Sequence, residues 1–107
     1  MANKTRRPLP PHLAEALTQF GAGLRALRLR RRIPIDYAAQ VASISRSTLH
    51  KMERGDPGVG LGSYAAVLHY YGMLGRLEDL PDPRYDRGGL ALERSRLPLR
   101  IRKPGPA

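Results

Sequence analysis

The first third of the chain carries apolar residues at alternating steps of four and three positions. This spacing places them on one face of a single α-helix. Arginines between Arg25 and Arg32 follow or interleave with its last turns, where cations complement the negative end of the helix dipole. Pro34 cannot continue the helix and therefore ends it. The apolar stripe consists of Leu13, Leu17, Phe20, Leu24 and Leu27.

Four shorter helices are predicted downstream from their start and stop residues. Ser45 is a good N-cap, Gly55 and Gly72 are typical helix ends, and Pro81 follows the last periodic segment. Five short helices with tight connections predict a compact all-α domain. The four downstream helices are predicted at residues 35–42, 46–54, 61–71 and 75–80.

The composition changes along the chain and divides it into three zones. Residues 1–15 form a basic, proline-rich arm, because closely spaced prolines favour an extended backbone over a helix. Residues 16–80 hold the helical periodicity and most aliphatic side chains, and residues 81–107 form a tail rich in proline, glycine and arginine. The cations of the arm are Lys4, Arg6 and Arg7.

The second and third predicted helices have the features of a helix-turn-helix. They are joined by a turn of three or four residues, and Ala39 is small where the helices must cross closely. Ile44 supplies an apolar residue in the turn, while Leu49 and Met52 anchor the inner face of the following helix. Such a rigid crossing presents the outer face of the second helix to the major groove of DNA.

The segment from Arg25 to Gly55 resembles the lambda Cro/XRE family of helix-turn-helix proteins without a gap. Its ending, SRSTLHKMERG, is similar to that family's recognition helix and stop, and the pairs Leu24-Arg25 and Leu27-Arg28 are similar to its first helix. The resemblance implies a five-helix, lambda-repressor-like domain that binds DNA. The matching positions in the ending are Ser45, Leu49, Met52, Glu53 and Gly55.

The resemblance also implies roles for individual side chains. Arg46, Ser47 and Lys51 fall where family members place base-reading residues, and Arg or Lys can donate to guanine O6 and N7. Phosphate contacts would add affinity without sequence information. The candidates for backbone or groove contacts are Ser45, Thr48, His50, Arg54, the arginines of the first helix, Lys4, Arg6 and Arg7.

Arg28 and Glu53 match a buried ion pair that joins the first and third helices in some family members. The alternative interpretation is that they are two unpaired charges facing solvent. Both interpretations agree with the sequence.

Four positions depart from the family pattern. Ile35 stands where a glutamine often contacts a phosphate, and Pro34 offers no side-chain acceptor at the usual Ser or Thr cap. Ala38 replaces a bulky apolar residue, whose packing Tyr37 is expected to supply. Ser43 replaces the turn glycine and is expected at positive φ, at some cost in energy. These changes affect how the motif docks on DNA rather than whether it forms.

The chain is strongly basic, with 19 Lys and Arg against 9 Asp and Glu, a net charge of +10 and a pI near 11.1. This balance favours a polyanionic partner, because each neutralised phosphate releases counterions. Charge alone does not separate DNA from RNA or from a solvated basic surface. An RNA partner agrees less with the motif, because the deep major groove of RNA does not admit a helix.

Other kinds of site find little support. The chain has no cysteine, and His12, His50 and His69 lack a metal-ligand spacing. Its acidic residues suit turns and caps, and the glycine-rich segment GDPGVGLG lacks the context of a phosphate-binding loop. We therefore expect no metal, no cofactor and no enzymatic activity. Tyr64, Tyr70 and Tyr71 fit core or interface positions, with stacking on bases as the alternative.

Membrane and export signals are also missing. No apolar run approaches the roughly 18 residues of a membrane span, and the basic N-terminus lacks the apolar stretch of a secretory signal. A cytoplasmic protein is the simplest interpretation.

The tail carries a second pattern. Leu97, Leu99 and Ile101 alternate with polar or proline positions, which predicts a short edge strand. A lone strand needs a partner, either the same strand in a homodimer or another protein. A disordered basic tail is the alternative. Before it, residues 89–96 (GLALERSR) are expected to form one or two helical turns.

A Cro/XRE domain followed by this tail resembles HipB-like antitoxins, which accompany HipA-family kinase toxins. The resemblance implies a non-enzymatic homodimer that represses its own operon at a palindromic operator and binds a HipA-like kinase. The alternatives are a free-standing, phage-like regulator without a toxin, and a protein-interaction adaptor with a vestigial helix-turn-helix.

Overall fold

The computed structural model describes residues 8–96, and these residues contain helices and no strand. Two units are distinguished, the first ending at Leu74 and the second beginning at Gly75. The helices are α1 (Pro11–Arg30), α2 (Ile35–Val41), α3 (Arg46–Glu53), α4 (Leu61–Tyr70), α5 (Leu74–Asp79), a 3₁₀ turn (Pro83–Tyr85) and α6 (Arg87–Ser95).

Helix α1 begins at Pro11, so the prediction of an extended arm through residue 15 was wrong for its last five residues. Pro10 is extended, with φ −54° and ψ 147°, and its carbonyl accepts from the amides of Leu13 and Ala14 at 3.0 Å. A proline suits the first helical position because its fixed φ is already helical and its missing N–H would have no partner there. The predicted arm cations Lys4, Arg6 and Arg7 lie outside the described residues.

The core of the first unit joins α1 to the three helices that follow. Only the C-terminal half of the predicted α1 stripe is buried: Leu13 and Phe20 remain 44% exposed. The ring of Phe20 instead lies 5.7 Å from that of Tyr64 on α4. The buried apolar residues are Leu24, Leu27, Ala38, Ala39, Ala42, Leu49, Met52, Val67, Leu68 and Tyr71.

Two glycines let α1 approach the end of α3 backbone to backbone. A Cβ atom on Gly21 would lie 2.5 Å from the carbonyl oxygen of Met52 and 2.6 Å from the amide nitrogen of Gly55. Gly55 has φ +79°, and a Cβ there would lie 2.5 Å from the carbonyl oxygen of Leu17. Since no side chain fits between them, this contact fixes the distance between the two helices.

Tyr71, at the end of α4, is almost fully buried, with 3% of its surface exposed. The guanidinium of Arg31 lies over its ring, 5.5 Å from the centroid. Its hydroxyl has no hydrogen-bond partner among residues 8–96. Burial raises the pKa of Tyr71, and the negative charge of Glu53 adds to this effect. The hydroxyl therefore contributes less to stability than its burial costs.

Substitution of Tyr71 by phenylalanine is expected to increase the free energy of unfolding by about 1 kcal/mol at pH 7, because it removes a buried hydroxyl without a protein partner. The folded-state pKa lies above the unfolded value near 10. Below pH 10 the hydroxyl is therefore neutral in both states, and ionisation costs no stability there. Stability is lost as the pH rises through the folded-state pKa. Urea denaturation from pH 7 to 11 should show a smaller alkaline loss in Tyr71→Phe.

Tyr64 is an internal reference for this measurement, because burial also raises its pKa and it is retained in both proteins. A Tyr71→Phe variant that is less stable by about 1 kcal/mol at pH 7 would contradict the prediction, since it would indicate a hydrogen bond from the hydroxyl.

In the second unit, aspartates start the helical segments, as the turn-rich sequence suggests. Asp82 accepts from the amide of Arg84 at 2.9 Å, and its side-chain hydrogen bond with Arg84 lowers the pKa of its carboxyl. Asp86 accepts from the amide of Gly89 at 2.9 Å and caps α6. Helix α6 confirms the helical turns predicted at residues 89–96, although it begins two residues earlier and ends at Ser95. The strand predicted from Leu97, Leu99 and Ile101 lies outside the described residues.

Candidate nucleic-acid interface

Helices α2 and α3 are joined by a tight turn. The amide of Ala42 donates to the carbonyl of Ala38 at 3.1 Å, and that of Ile44 donates to Ala39 at 3.0 Å. Ser43 has φ +59°, as expected for a residue in the place of the turn glycine. Ala38 and Ala39 are 1% and 2% exposed. Tyr37 is exposed and does not supply the packing expected from it. Its ring is arranged edge-on to that of Tyr70, with the two ring centroids 6.5 Å apart.

The start of α3 is fixed by its own side chains. The hydroxyl of Ser45 accepts from the amide of Thr48 at 2.9 Å and donates to the Thr48 hydroxyl at 2.8 Å. The same oxygen that caps the helix is thus already engaged, which limits Ser45 as a donor to DNA. Pro34, by contrast, gives α2 no side-chain cap, in agreement with the sequence.

Helix α3 has two chemically distinct faces. Its inner face consists of Leu49 and Met52, both with 0% exposure, and the buried Glu53. Its outer face is polar, exposed and rich in cations, and it collects the side chains predicted to contact bases. The exposed residues on α3 and at its end are Arg46, Ser47, His50, Lys51 and Arg54, with Thr48 half-buried.

Arg28 and Glu53 form a buried ion pair between α1 and α3. Arg28 donates through Nε to Glu53 Oε2 at 2.8 Å and through Nη2 to Oε1 at 3.0 Å. Its Nη1 donates to the carbonyl of Ile33 at 2.9 Å. The hydrogen bond to Glu53 raises the pKa of Arg28. These contacts exclude two unpaired, solvent-facing charges, and the bidentate geometry orients α3 relative to α1.

A second ion pair was not foreseen from the sequence. Arg46 Nε lies 3.1 Å from Asp36 Oδ1, and both side chains are exposed, at 63% and 70%. Asp36 is in the first turn of α2 and Arg46 is the first residue of α3. The sequence does place an acidic and a basic residue near the starts of the two helices of the motif. Because the turn brings these two helix starts together, this placement could have predicted the pair.

A polar recess of about 230 Å³ lies between α3 and the start of α4. It is lined on one side by Thr48 and Lys51, and on the other by the loop that leads to Gly60, the N-cap of α4. Gly60 has no side chain to satisfy the first amides of α4, and such amides favour anions. Asp56 also lines the recess and accepts from the amide of Gly58 at 2.7 Å.

Residues 8–96 contain no cluster of three or more His, Cys, Asp or Glu side chains that could hold a metal ion. Across the same residues, no helix combines the length and the apolar character needed to cross a membrane.

Comparison with known families matches residues 19–80, more than half of the chain, to a family described as a helix-turn-helix domain. The matched region contains α2, α3 and the α1 segment that packs on them. No curated protein and no solved structure matches the chain significantly.

Proposed function

Because the chain belongs to the helix-turn-helix domain family of DNA-binding regulators, we propose that it is a transcriptional repressor that binds a palindromic operator in double-stranded DNA. The separation of α3 into a buried anchoring face and an exposed cationic face carries this proposal. A recognition helix needs both faces: one to hold it rigidly, the other to reach the bases.

In the proposed complex, α3 lies in the major groove. Arg46 and Lys51 donate to guanine O6 and N7, and the Ser47 hydroxyl contacts either kind of base edge. The recess between Lys51 and the start of α4 takes a backbone phosphate, which suits the first amides of α4, capped by no side chain, and the Ser63 hydroxyl. Thr48, His50, Arg54 and the exposed arginines of α1, Arg25 and Arg30, contact phosphates in this proposal, together with Lys4, Arg6 and Arg7.

The repressor acts as a homodimer in this proposal, with two copies of α3 in successive major grooves about one helical turn apart. The tail residues Leu97, Leu99 and Ile101 pair with a second copy or with a partner protein. The resemblance to HipB-like antitoxins supports a HipA-like kinase toxin as this partner, with the complex acting on operator DNA in the cytoplasm.

The repressor and antitoxin proposals are tested separately. A mobility-shift assay with the protein's own upstream region should show a specific complex; no shift would instead favour an adaptor with a vestigial helix-turn-helix. Co-expression with a kinase encoded by the adjacent gene should yield a complex at micromolar concentration. If the adjacent gene encodes no kinase, the protein is a free-standing regulator without a toxin.

Substitution of Arg46 by alanine is expected to weaken binding by about 1–3 kcal/mol at the cognate base pair. The effect arises because a bidentate contact to guanine is lost. Fluorescence anisotropy with the operator and with single-base variants measures it: the variant should no longer distinguish guanine at one position.

Arg76→Ala, which removes the same charge from α5, serves as the control and should leave base preference unchanged. If Arg46→Ala weakened binding to all sequences equally, Arg46 would be a phosphate contact and its assignment as a base reader would be wrong.

A further inference from the structure

The ion pair between Asp36 and Arg46 stands out because it places an acidic group beside a base-reading cation. In a chain with 19 basic and 9 acidic residues, a carboxylate at a DNA-binding face opposes the general attraction to phosphate. Asp36 Oδ1 and Arg46 Nε are 3.1 Å apart and both side chains are largely exposed. The contact joins the starts of the two helices of the motif.

Stability gives little reason for this pair. Ion pairs between exposed side chains contribute little because water and salt screen them. The relative position of α2 and α3 is already fixed by the buried residues Ala38, Ala39 and Leu49. The pair therefore needs an explanation in terms of what Arg46 does rather than of how the domain folds.

The geometry of the Arg46 guanidinium supplies this explanation. The contact to Asp36 uses Nε, so the two terminal nitrogens, Nη1 and Nη2, remain able to donate. These two nitrogens form the planar fork that matches guanine O6 and N7. With its Nε beside the carboxylate, Arg46 favours an end-on orientation before DNA arrives, and its side chain loses less freedom on binding.

We propose that Asp36 is a positioning residue that orients Arg46 toward a guanine and reduces its attraction to phosphates. The inference rests on the proposed function as a DNA-binding repressor. At a base other than guanine, Arg46 can turn to a phosphate only by leaving Asp36. The unpaired Asp36 carboxylate then faces the DNA backbone, and the phosphates repel it. Asp36 thereby lowers affinity for wrong sequences more than for the right one, which is how a difference in affinity becomes specificity.

The test is selection of binding sites from a random pool of duplexes by the full-length chain, followed by affinity measurements at several salt concentrations. Asp36→Asn keeps the shape and an acceptor oxygen but removes the charge, whereas Asp36→Ala removes both. Glu15→Gln, at an exposed position on α1, makes the same change in net charge elsewhere and is the matched control.

We expect the wild-type chain to select a motif with a guanine opposite Arg46. In Asp36→Ala, preference for this guanine should fall by about fivefold to tenfold. This is a part of the full discrimination that a bidentate contact provides against the wrong base, because Arg46 itself is retained. In Asp36→Asn, affinity for random-sequence duplex should rise severalfold. The slope of log K against log[salt] should become steeper by up to about 0.9, because Arg46 gains access to one phosphate. Glu15→Gln should change neither the preference nor the slope.

The effect must act through Arg46. In an Arg46→Ala background, Asp36→Ala should therefore leave base preference unchanged, and a preference that still shifts would overturn the inference. It is also overturned if the wild type selects a guanine motif while both Asp36 variants keep its preference and its salt slope. If the wild type selects no motif at all, the proposed function fails first, and the inference fails with it.

Discussion

Replacement of Glu53 by alanine is expected to lower the free energy of unfolding by about 3–5 kcal/mol. The substitution leaves the Arg28 guanidinium buried without its counter-ion, and within residues 8–96 only the Ile33 carbonyl remains as a hydrogen-bond partner. Loss of one member of a buried pair costs much more than loss of an exposed one, because the remaining charge is no longer compensated. Since small domains are stable by only about 5–15 kcal/mol, a large part of the stability would be lost.

Urea denaturation followed by circular dichroism measures this loss in the full chain. A double variant, Arg28→Met with Glu53→Met, is the control: it removes both charges and should recover most of the stability. Asp36→Asn should cost less than about 1 kcal/mol, because that pair is exposed. A comparably small loss in Glu53→Ala would mean that the buried pair does not hold α3 in place.

Gly21→Ala is expected to destabilise the fold by about 3 kcal/mol, at the upper end for overpacked sites. The added methyl group would meet the carbonyl oxygen of Met52 and the amide of Gly55, both backbone atoms that no side-chain rotation can move aside. To accommodate it, α1 and the end of α3 must separate. Thermal and urea denaturation should both show the loss.

Gly23→Ala, two residues further along α1, is the matched control. Nothing lies within 4 Å of a Cβ atom there, and alanine is favoured over glycine inside a helix by about 0.5–1 kcal/mol. The same substitution should therefore stabilise the protein at position 23 and destabilise it at position 21. Equal effects at the two sites would contradict the close approach of α1 and α3.

Much of the helical layout could be predicted because local chemistry determines it. Ser45 caps α3 through its own hydroxyl, and Gly55 and Gly72 adopt the positive φ that ends a helix. Positive φ at Ser43 was foreseen because the turn of the motif requires it, whatever residue is present. Pro11 was misassigned because proline disfavours helix interiors but suits the first turn.

The remaining features depend on contacts between segments distant in sequence. The periodicity of α1 identifies its apolar face but not which part of that face other helices cover. Leu13 and Phe20 were therefore expected in the core, but both are partly exposed to solvent. Nothing near Gly21 in the sequence indicates that a backbone lies against it. The pairing of Asp36 with Arg46 likewise required the positions of two helix starts in space.

The two faces of α3 also bear on how such a protein changes over generations. Its anchor consists of Leu49, Met52 and Glu53, together with the glycine contact to α1, and these three side chains are buried. If α3 reads the operator as proposed, mutations on the outer face alter which operator is recognised while the scaffold persists. After gene duplication, two copies can diverge in their targets without either one first losing its fold.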